Sequence, residues 1–311
     1  MWQRVSYAPD TSTRLLHRER YTVGQFDCGP RSPAWGRENQ IGDGPLVVFP
    51  STAVEITHAG RAPVVANANV VMFYNRDQPY TRRLLDRRGD HCIHLGVSWA
   101  TFAELAAEHD PARAEHLGRP FPFDRGPGSP RTWLRKDALV RYLDQGSPDE
   151  LFVEETVLAL VREVVGLAFG AIDRPARGRA KTTSRHRDAA RRLEEILALR
   201  PELPSSLAEL ADQVGLSPFH AARVFRRFTG ASLHDYRTHL RVKTSLGRLA
   251  EPNRDLADLA LELGFANHSH FTDQFRRIFG VPPSRIRGEL TVARIRELER
   301  EIDRRLNQAR S

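Results

Sequence analysis

Five histidine and cysteine residues in the first third of the sequence have side chains that bind soft metal ions. They are Cys28, His58, His91, Cys92 and His94. In a strand, alternation would place Cys92 and His94 on one face and His91 on the other, so at most two of these three could reach one ion. The sequence has no Cys-x-x-Cys pair. We therefore expect no bound metal and no cofactor. The residues that would supply a site are Cys28, His58, Cys92 and His94.

The same residues allow one other chemistry. Two cysteines are too few for a disulfide framework, and reduced thiols in a reducing cytoplasm are expected. A redox switch between Cys28 and Cys92 is the alternative to ordinary packing. Familiar catalytic motifs are missing, because the sequence contains no Gly-x-Ser-x-Gly, no phosphate-binding glycine loop and no His-Glu-x-x-His. The chain is therefore not expected to be an enzyme.

Arginine and histidine recur at matching positions in two segments of the last third of the sequence. Residues 220–230 read His-Ala-Ala-Arg-Val-Phe-Arg-Arg-Phe-Thr-Gly, and residues 270–280 read His-Phe-Thr-Asp-Gln-Phe-Arg-Arg-Ile-Phe-Gly. A guanidinium group can donate two hydrogen bonds to guanine or bind a phosphate. A net charge of +8 likewise favours a polyanionic partner, either nucleic acid or an anionic membrane surface.

Short helices are predicted to position these side chains, because the repeat extends upstream. Residues 207–216 recur as residues 256–265, so the repeat has an offset of 49 residues before a turn and 50 after it. Gly215 and Gly264 stand where a left-handed residue would end a first helix and begin a sharp turn. Each copy therefore has the pattern of a helix-turn-helix motif.

The start of the second helix in each copy is also marked. Ser217 and Asn267 offer side-chain oxygens where that helix needs an N-cap, and Pro218 stands just inside the start of the first. The residues expected to anchor the helices on the core are Leu207, Leu210, Val214, Phe225, Phe228, Phe275, Ile278 and Phe279.

A single helix over residues 232–249 is predicted to join the two copies. About 18 residues at 1.5 Å each span roughly 27 Å. With the width of the helices added, this length can hold two recognition helices about one DNA turn apart, roughly 34 Å, in successive major grooves. The two copies and their spacer predict a tandem reader of duplex DNA.

Over residues 187–287 the sequence resembles the AraC/XylS family of transcription regulators. The resemblance rests on Ser217-Pro-Phe-His-x-x-Arg-x-Phe-Arg in the first copy and on Gly264-Phe-x-Asn-x-Ser-His-Phe-x-x-Gln-Phe-Arg-Arg-x-Phe-Gly-Val-x-Pro-Ser-x-x-Arg in the second. Ile286 stands where the family usually has an aromatic residue, which is a difference in packing. The resemblance implies a cytoplasmic, sequence-specific regulator that binds double-stranded DNA, RNA polymerase and a small-molecule effector.

The residues expected to face DNA are carried over from the family's recognition helices. In the first copy they are Phe219, Ala222 and Arg223. Arg223 is the best candidate for reading a base, with a phosphate contact or a surface ion pair as alternatives. In the second copy Asp273 stands where the family often has arginine. We expect it to form an ion pair with Arg277, one helical turn away, rather than to accept a hydrogen bond from a cytosine amino group. The other predicted contacts are Arg226, Arg227, Lys243, Asn267, His268, Ser269, His270, Thr272, Arg276 and Arg277.

The first half of the sequence is predicted to contain a series of short strands. β-prone segments at 46–49, 53–58 and 70–74 are separated by turn signals. The fold class expected is α+β, with an N-terminal cupin-like β-barrel sensor domain and helices, followed by an all-α domain with tandem helix-turn-helix motifs. An effector in the barrel would act by binding two states of the protein with different affinity.

Two helices are predicted at 133–144 and 149–169, after a loop at 120–130. The second is apolar around much of its circumference, so we expect it to pack on its own sheet, on the partner in a homodimer, or on both. The expected domains are a sensor and dimerisation domain at 1–170, a basic linker at 171–186, the DNA-binding domain at 187–290 and a C-terminal helix at 291–311.

Two other functions are compatible with these residues. One is a metal-dependent cupin-type enzyme fused to a DNA-binding domain, which would need two or three histidines and a carboxylate to converge in the barrel. The other is a nucleoid-associated protein held on DNA by charge alone. A membrane partner is not expected, because the helix at 292–310 mixes both charges on its polar face and no apolar run is long enough to span a bilayer. The start of the sequence has no signal-peptide pattern.

Overall fold

The computed structural model describes residues 3–8, 11–18, 20–41, 44–112, 119–146, 148–172, 184–251, 253–288 and 291–308. The chain divides into two compact units. The β-rich unit comprises Met1–Gly128 and Glu154–Pro175, and the helical unit comprises Ser129–Val153 and Ala176–Ser311. The linker predicted at 171–186 lies outside the described residues except at its two ends.

Short antiparallel strands build the β-rich unit, as the β-prone segments predict. They are β1 (Gln3–Ala8), β2 (Thr11–His17), β3 (Tyr21–Cys28), β4 (Glu38–Asn39), β5 (Leu46–Pro50), β6 (Val54–His58), β7 (Val64–Ala66), β8 (Val70–Tyr74), β9 (Tyr80–Leu84), β10 (Asp90–Val97) and β11 (Arg125–Pro127). One sheet has the order β1-β2-β3-β10-β5-β8-β11, and the other has the order β4-β9-β6-β7. Because β11 pairs with β8, part of the segment predicted as a loop at 120–130 is a strand.

An apolar cluster lies between the two sheets. It contains Val48, Met72 and Cys92 from the first sheet and Val54 and Ile56 from the second, because alternation along each strand directs these side chains to one face. The described strands do not close into the expected barrel, since no hydrogen-bonded ladder joins the edges of the two sheets. Open edges and a shared apolar face make this a two-sheet arrangement.

Two helices complete the β-rich unit. Helix α1 (Trp99–Ala107) begins at Ser98, whose side chain accepts from the Thr101 amide. The later part of α3 (Glu150–Ile172) buries an apolar face and lies so close to β11 that a Cβ added to Gly126 would meet the Cβ of Ala168 at 2.7 Å. This apolar helix therefore packs on its own sheet, which was one of the expected alternatives.

The helical unit contains the tandem motifs and two further helices. Its elements are α2 (Pro130–Asp144), α4 (Ser184–Leu199), α5 (Leu207–Asp212), α6 (Pro218–Thr229), α7 (Leu233–Arg248), α8 (Leu256–Glu262), α9 (His268–Phe279), a 3-10 turn (Pro283–Arg285) and α10 (Val292–Gln308). The side chains of Phe225, Phe271, Phe275 and Phe279 are fully buried in its core.

Helix α2 belongs to the helical unit although the expected domain boundaries placed it with the sensor. It begins at Pro130, inside the predicted loop, with Ser129 as its N-cap. Ala138 joins Ile295 and Leu298 of α10 in an apolar cluster, and Arg135 Nε donates to Glu299 at 2.5 Å. The apolar stripe of α2 thus finds its partner about 150 residues further along the chain, where sequence periodicity cannot locate it.

Candidate nucleic-acid interface

The two recognition helices, α6 and α9, start and end in the same way. The Ser217 side chain accepts from the His220 amide, and the Asn267 side chain accepts from the His270 amide. Each helix ends at a glycine in the left-handed conformation, Gly230 in α6 and Gly280 in α9. The Ser217 and Asn267 caps satisfy amides that the first turn of a helix leaves unpaired. The N-caps predicted at Ser217 and Asn267 are present.

The turn in each motif contains the glycine predicted from the repeat. Gly215 has φ +63° and Gly264 has φ +79°, a region that other residues adopt only at a cost. The two positions differ in their surroundings, since a Cβ on Gly264 would meet the Glu202 carbonyl oxygen at 2.2 Å. A Cβ on Gly215 would meet nothing closer than Arg185 Nη2 at 3.8 Å.

The outer face of α6 carries one aromatic and several basic side chains. Phe219 is 76% exposed, and the Arg223 guanidinium carbon lies 5.9 Å from its ring centroid. Ala222 is half-buried, whereas Arg226 and Arg227 are exposed. The structure therefore brings the residues predicted in the first motif to one side of α6, with Ala222 the least accessible.

The outer face of α9 is polar. His268, Ser269 and His270 are exposed, and Thr272 is half-buried with its Oγ1 at 3.3 Å from His268 Nε2. The Asn267 side-chain oxygen accepts the capping hydrogen bond from the His270 amide. The side-chain NH2 group remains as the donor that Asn267 could offer to DNA.

The expected pairing of Asp273 with Arg277 was wrong. The Asp273 carboxylate lies 3.9 Å from Arg276 Nη1, and Arg277 Nη2 lies 3.4 Å from Asp235 Oδ1 at the start of α7. Arg277 turns to α7 because Ser232 holds the Asp235 carboxyl group there through a hydrogen bond of 2.8 Å. The Asp273 side chain is 71% exposed, so its carboxylate lies on the surface of α9 beside Arg276.

Lys243 was predicted to contact phosphate, and the structure places its ammonium group elsewhere. Lys243 Nζ lies 4.7 Å from the centroid of the Trp133 ring of α2. Burial lowers the pKa of this group to about 7, because loss of water disfavours the charged form. The ammonium group therefore packs on an indole ring, and a phosphate contact by Lys243 stays a prediction. No pattern in the sequence indicates this contact, since Trp133 is 110 residues away.

One functional candidate that sequence reasoning missed lies on the buried side of α7. Arg241 is 8% exposed, and its guanidinium donates to three backbone carbonyls. Nε donates to Pro201 at 2.5 Å, Nη1 to Gly264 at 2.7 Å and Nη2 to Glu202 at 3.1 Å. Its pKa is lowered to about 10 by burial, so the group stays charged at neutral pH. The position of Arg241 between two apolar residues, Leu240 and Val242, which are both buried, is the sequence feature that could have indicated a buried arginine.

Cys28, Cys92 and His94, three of the four metal candidates of the β-rich unit, lie on one side of its larger sheet. In the pairing of β3 with β10, Cys92 is opposite Phe26, His94 is opposite Gly24 and Cys28 is opposite Asp90, so all three candidates share the inner face as alternation predicts. His58 instead has Nδ1 at 3.2 Å from Asp124. Among the described residues, no three His, Cys, Asp or Glu side chains are grouped so that they could hold a metal ion.

Both cysteines are buried free thiols. Cys28 and Cys92 occupy diagonal positions on neighbouring strands, about 7–8 Å apart in such ladders, whereas a disulfide brings Cα atoms to roughly 4.4–6.8 Å. Burial raises the pKa of the Cys92 thiol well above its ordinary value and lowers the pKa of His94 to about 4. A neutral thiol and a neutral imidazole therefore face the sheet interior at pH 7.

Comparison with known proteins identifies the helical motifs. A family model described as a helix-turn-helix domain matches residues 210–289. Over 86 residues the chain is 33% identical to the multiple antibiotic resistance protein MarA of Escherichia coli, a match that covers 28% of this chain and 68% of MarA. Over 82 residues it is 33% identical to the bifunctional transcriptional activator/DNA repair enzyme AdaA of Bacillus subtilis, which covers 26% of this chain.

The matches differ in how much of each relative they cover. The chain spans 39% of the length of AdaA. The solved structure of ToxT from Vibrio cholerae aligns with 86% of this chain and 97% of ToxT, at 11% identity and a TM-score of 0.31. No helix in the described ranges combines the length and the apolar character needed to cross a bilayer. The motif pattern and the match to MarA agree, and the chain belongs to the AraC/XylS family of DNA-binding transcription regulators.

Proposed function

We propose that this regulator binds a specific DNA sequence by inserting α6 and α9 into successive major grooves. One observation carries the proposal: two helices with matching caps and outward-facing polar or basic side chains are joined by a single helix, α7, of 16 residues. At 1.5 Å per residue α7 is about 24 Å long. With the width of a helix at each end, this length supports reading at a spacing of about one DNA turn.

The exposed side chains divide into two roles in this proposal. Arg223 reads guanine from α6, and Phe219 contacts a base methyl group beside it. His268, Ser269, His270 and Thr272 approach base edges from α9. Arginines at the ends of both helices bind phosphates and set affinity without selecting sequence; these are Arg226, Arg227, Arg276 and Arg277.

We further propose that the β-rich unit is an effector-binding sensor, in place of the closed barrel expected from sequence. Between its sheets, the buried atoms His58 Nε2 and Arg82 Nε have no hydrogen-bond partner among the described residues. Such atoms are costly unless a ligand or water satisfies them. A small molecule that satisfies them in one state of the protein would shift DNA binding. Activation through RNA polymerase and a homodimer built on α3 are the remaining parts of the proposal.

The proposal is tested with the full chain and a DNA site that the full chain selects from a random pool. Fluorescence anisotropy measures its affinity for the selected site and for a scrambled site of the same composition across a salt series. We expect binding at least about a hundredfold tighter to the selected site. DNase footprinting should protect two major-groove patches one turn apart.

Two results would contradict sequence-specific reading. Equal and steeply salt-dependent binding to both DNAs would indicate a nucleoid-associated protein held by charge. Protection of a single patch would indicate that only one motif reads DNA. Arg223→Ala and Arg226→Ala form a matched pair for the two roles, because both arginines lie on α6 and are exposed.

A further inference from the structure

A close backbone contact joins the chain segment before the first helix-turn-helix motif to the second motif. The loop before α5, at Pro201 and Glu202, lies against the turn of the second motif at Gly264. A Cβ on Gly264 would meet the Glu202 carbonyl oxygen at 2.2 Å and its carbonyl carbon at 2.8 Å. Only glycine allows the two backbones to approach this closely. A Cβ on Gly215, the equivalent glycine of the first motif, would meet no backbone atom within 4 Å, so the contact is specific to the second.

Arg241 holds this contact closed. It lies on α7, which runs between the motifs, and its guanidinium donates to the Pro201 and Glu202 carbonyls on one side and to the Gly264 carbonyl on the other. The Cζ atom of this guanidinium also lies 5.7 Å from the centroid of the Phe265 ring. A buried guanidinium with three charge-assisted hydrogen bonds has one geometry. The loop, α7 and the turn are therefore fixed to one another.

A neighbouring arginine provides the contrast. Arg237, one helical turn before Arg241, donates through Nη1 to the carbonyls of Ser205 at 3.3 Å and Leu203 at 3.5 Å. Both acceptors belong to the loop before α5. Arg237 therefore secures the loop before the first motif to α7 and, among the described residues, donates to no atom of the second motif, whereas Arg241 bridges the two.

We propose that Arg241 is a positioning residue that fixes the distance and the rotation between α6 and α9, and thereby sets which half-site spacing the protein accepts. This inference rests on the proposed function, since it requires that both helices read DNA. Arg241 touches no DNA in this proposal. It acts by preventing the second motif from turning about α7 relative to the first.

The consequence for DNA follows from the geometry of the duplex. One added base pair between the half-sites moves the second by about 3.4 Å and rotates it by about 35°. Two motifs held by Arg241 cannot follow this shift, so a site with altered spacing is bound by one motif with the other misplaced. Two motifs that lack the Arg241 bridge can follow it in part, because a helix end and a loosened turn allow some rotation.

The experiment compares three DNA sites for each form of the full chain. They are the selected site, the same site with one base pair inserted between the protected patches, and the same site with one base pair removed. The measured quantity is the ratio of affinities within each protein, so a general loss of affinity or stability cancels. For the wild type we expect a loss of at least about tenfold on both shifted sites. For Arg241→Met we expect a loss of less than about threefold.

Two further variants keep the test decisive. Arg237→Gln removes contacts within the first motif and should retain the spacing penalty of the wild type. Arg241→Lys keeps a positive charge, but its ammonium group cannot span three separate carbonyls. It replaces Arg241→Met in the test if circular dichroism shows that the methionine variant is unfolded. The expected penalty for Arg241→Lys lies between those of wild type and Arg241→Met.

Three results separate the possible failures. Arg241 variants with the spacing penalty of the wild type would overturn the positioning role. A wild type that selects a sequence but tolerates both spacing changes would also overturn it, because the motifs would not be held. Equal binding to selected and scrambled DNA would instead overturn the proposed function, and this is known before any spacing is altered.

Discussion

The first and second helix-turn-helix motifs can be compared position by position. Their recognition helices share N-caps, left-handed terminal glycines and buried phenylalanines, with Phe225 of α6 matching Phe275 of α9. Their outer faces differ, since α6 presents Phe219 and Arg223 where α9 presents Ser269 and Asp273. The residues that fold the motif are repeated, as are the two arginines in the last turn of each helix, whereas Phe219, Ala222 and Arg223 have different counterparts in α9. The two helices are therefore expected to read different base sequences with unequal strength.

The motifs also differ in the steric constraint on their turn glycine. Gly215 adopts a left-handed conformation in open surroundings, whereas Gly264 adopts it against the backbone of Glu202. The same sequence signal thus marks two different constraints. The turn of the second motif is fixed against the backbone before α5, whereas a Cβ on the turn glycine of the first would meet no backbone atom within 4 Å.

The largest expected effect compares the two glycines directly. Gly264→Ala should lower the free energy of unfolding of the helical unit by about 3–4 kcal/mol, because it adds a steric clash to the cost of a left-handed alanine. Gly215→Ala should lower it by about 1–2 kcal/mol, since only the conformational cost applies. Urea denaturation followed by circular dichroism at 222 nm measures both. Equal losses would show that the close approach to Glu202 is not present.

The next effect concerns base reading by the first motif. Arg223→Ala should weaken binding to the selected site by about 1–3 kcal/mol and leave binding to scrambled DNA almost unchanged. Arg226→Ala should weaken both by similar amounts, because a phosphate contact carries no sequence information. Anisotropy titrations at one salt concentration give the four values. A loss for Arg223→Ala that is the same on both DNAs would remove its role as a reader.

A smaller effect is expected at the second motif. Asp273 is exposed on α9 and lies 3.9 Å from Arg276, so its carboxylate opposes phosphate and weakens a neighbouring contact. Asp273→Asn should tighten binding to any DNA by about two- to fivefold and steepen the salt dependence. The slope of affinity against salt concentration measures this change. Weaker binding by the variant would instead support hydrogen bonding of Asp273 to a cytosine amino group.

The smallest effect on DNA binding is expected at the helix between the motifs. Lys243→Met should change affinity by less than about twofold, because the ammonium group is covered by Trp133. A larger loss of affinity together with a shallower salt slope would return Lys243 to the phosphate-binding surface.

The same variant tests the lowered pKa of Lys243. With a folded pKa of about 7 against an ordinary value of 10.5, the unfolded chain binds more protons between these values, so stability should rise with pH across that window. Lys243→Met should reduce this rise. Denaturation midpoints at pH 7 and pH 9.5 for both proteins measure it. An identical rise in the variant would show that the ammonium group remains solvated.

The sequence carried most of the information about the motifs because their determinants are local. Caps at Ser217 and Asn267 and the turn glycines act within a few residues, and each was predicted from its neighbours. The partner of Asp273 was predicted wrongly, since helical spacing alone allows Arg276 and Arg277 equally. Asp235, which takes Arg277, lies on another helix.

Long-range pairings account for what the sequence could not predict. The β-prone segments indicated strands at β5, β6 and β8, but their division into two open sheets depends on which strands pair, and the pattern of alternation is the same in a barrel. The position of α2 depends on the apolar face of α10, and the role of Arg241 depends on a loop 40 residues earlier. None of these partners is marked by spacing along the chain.

The placement of α2 has a consequence for the order in which the protein is made. Synthesis delivers Ser129–Val153 before any other part of the helical unit, and the apolar cluster on α2 is incomplete until Ile295 and Leu298 have left the ribosome. The β-rich unit is interrupted in the same way, because it needs Glu154–Pro175. Neither unit is complete after a simple N-terminal segment has emerged, so a nascent chain stalled between them should bind chaperones that recognise exposed apolar helices.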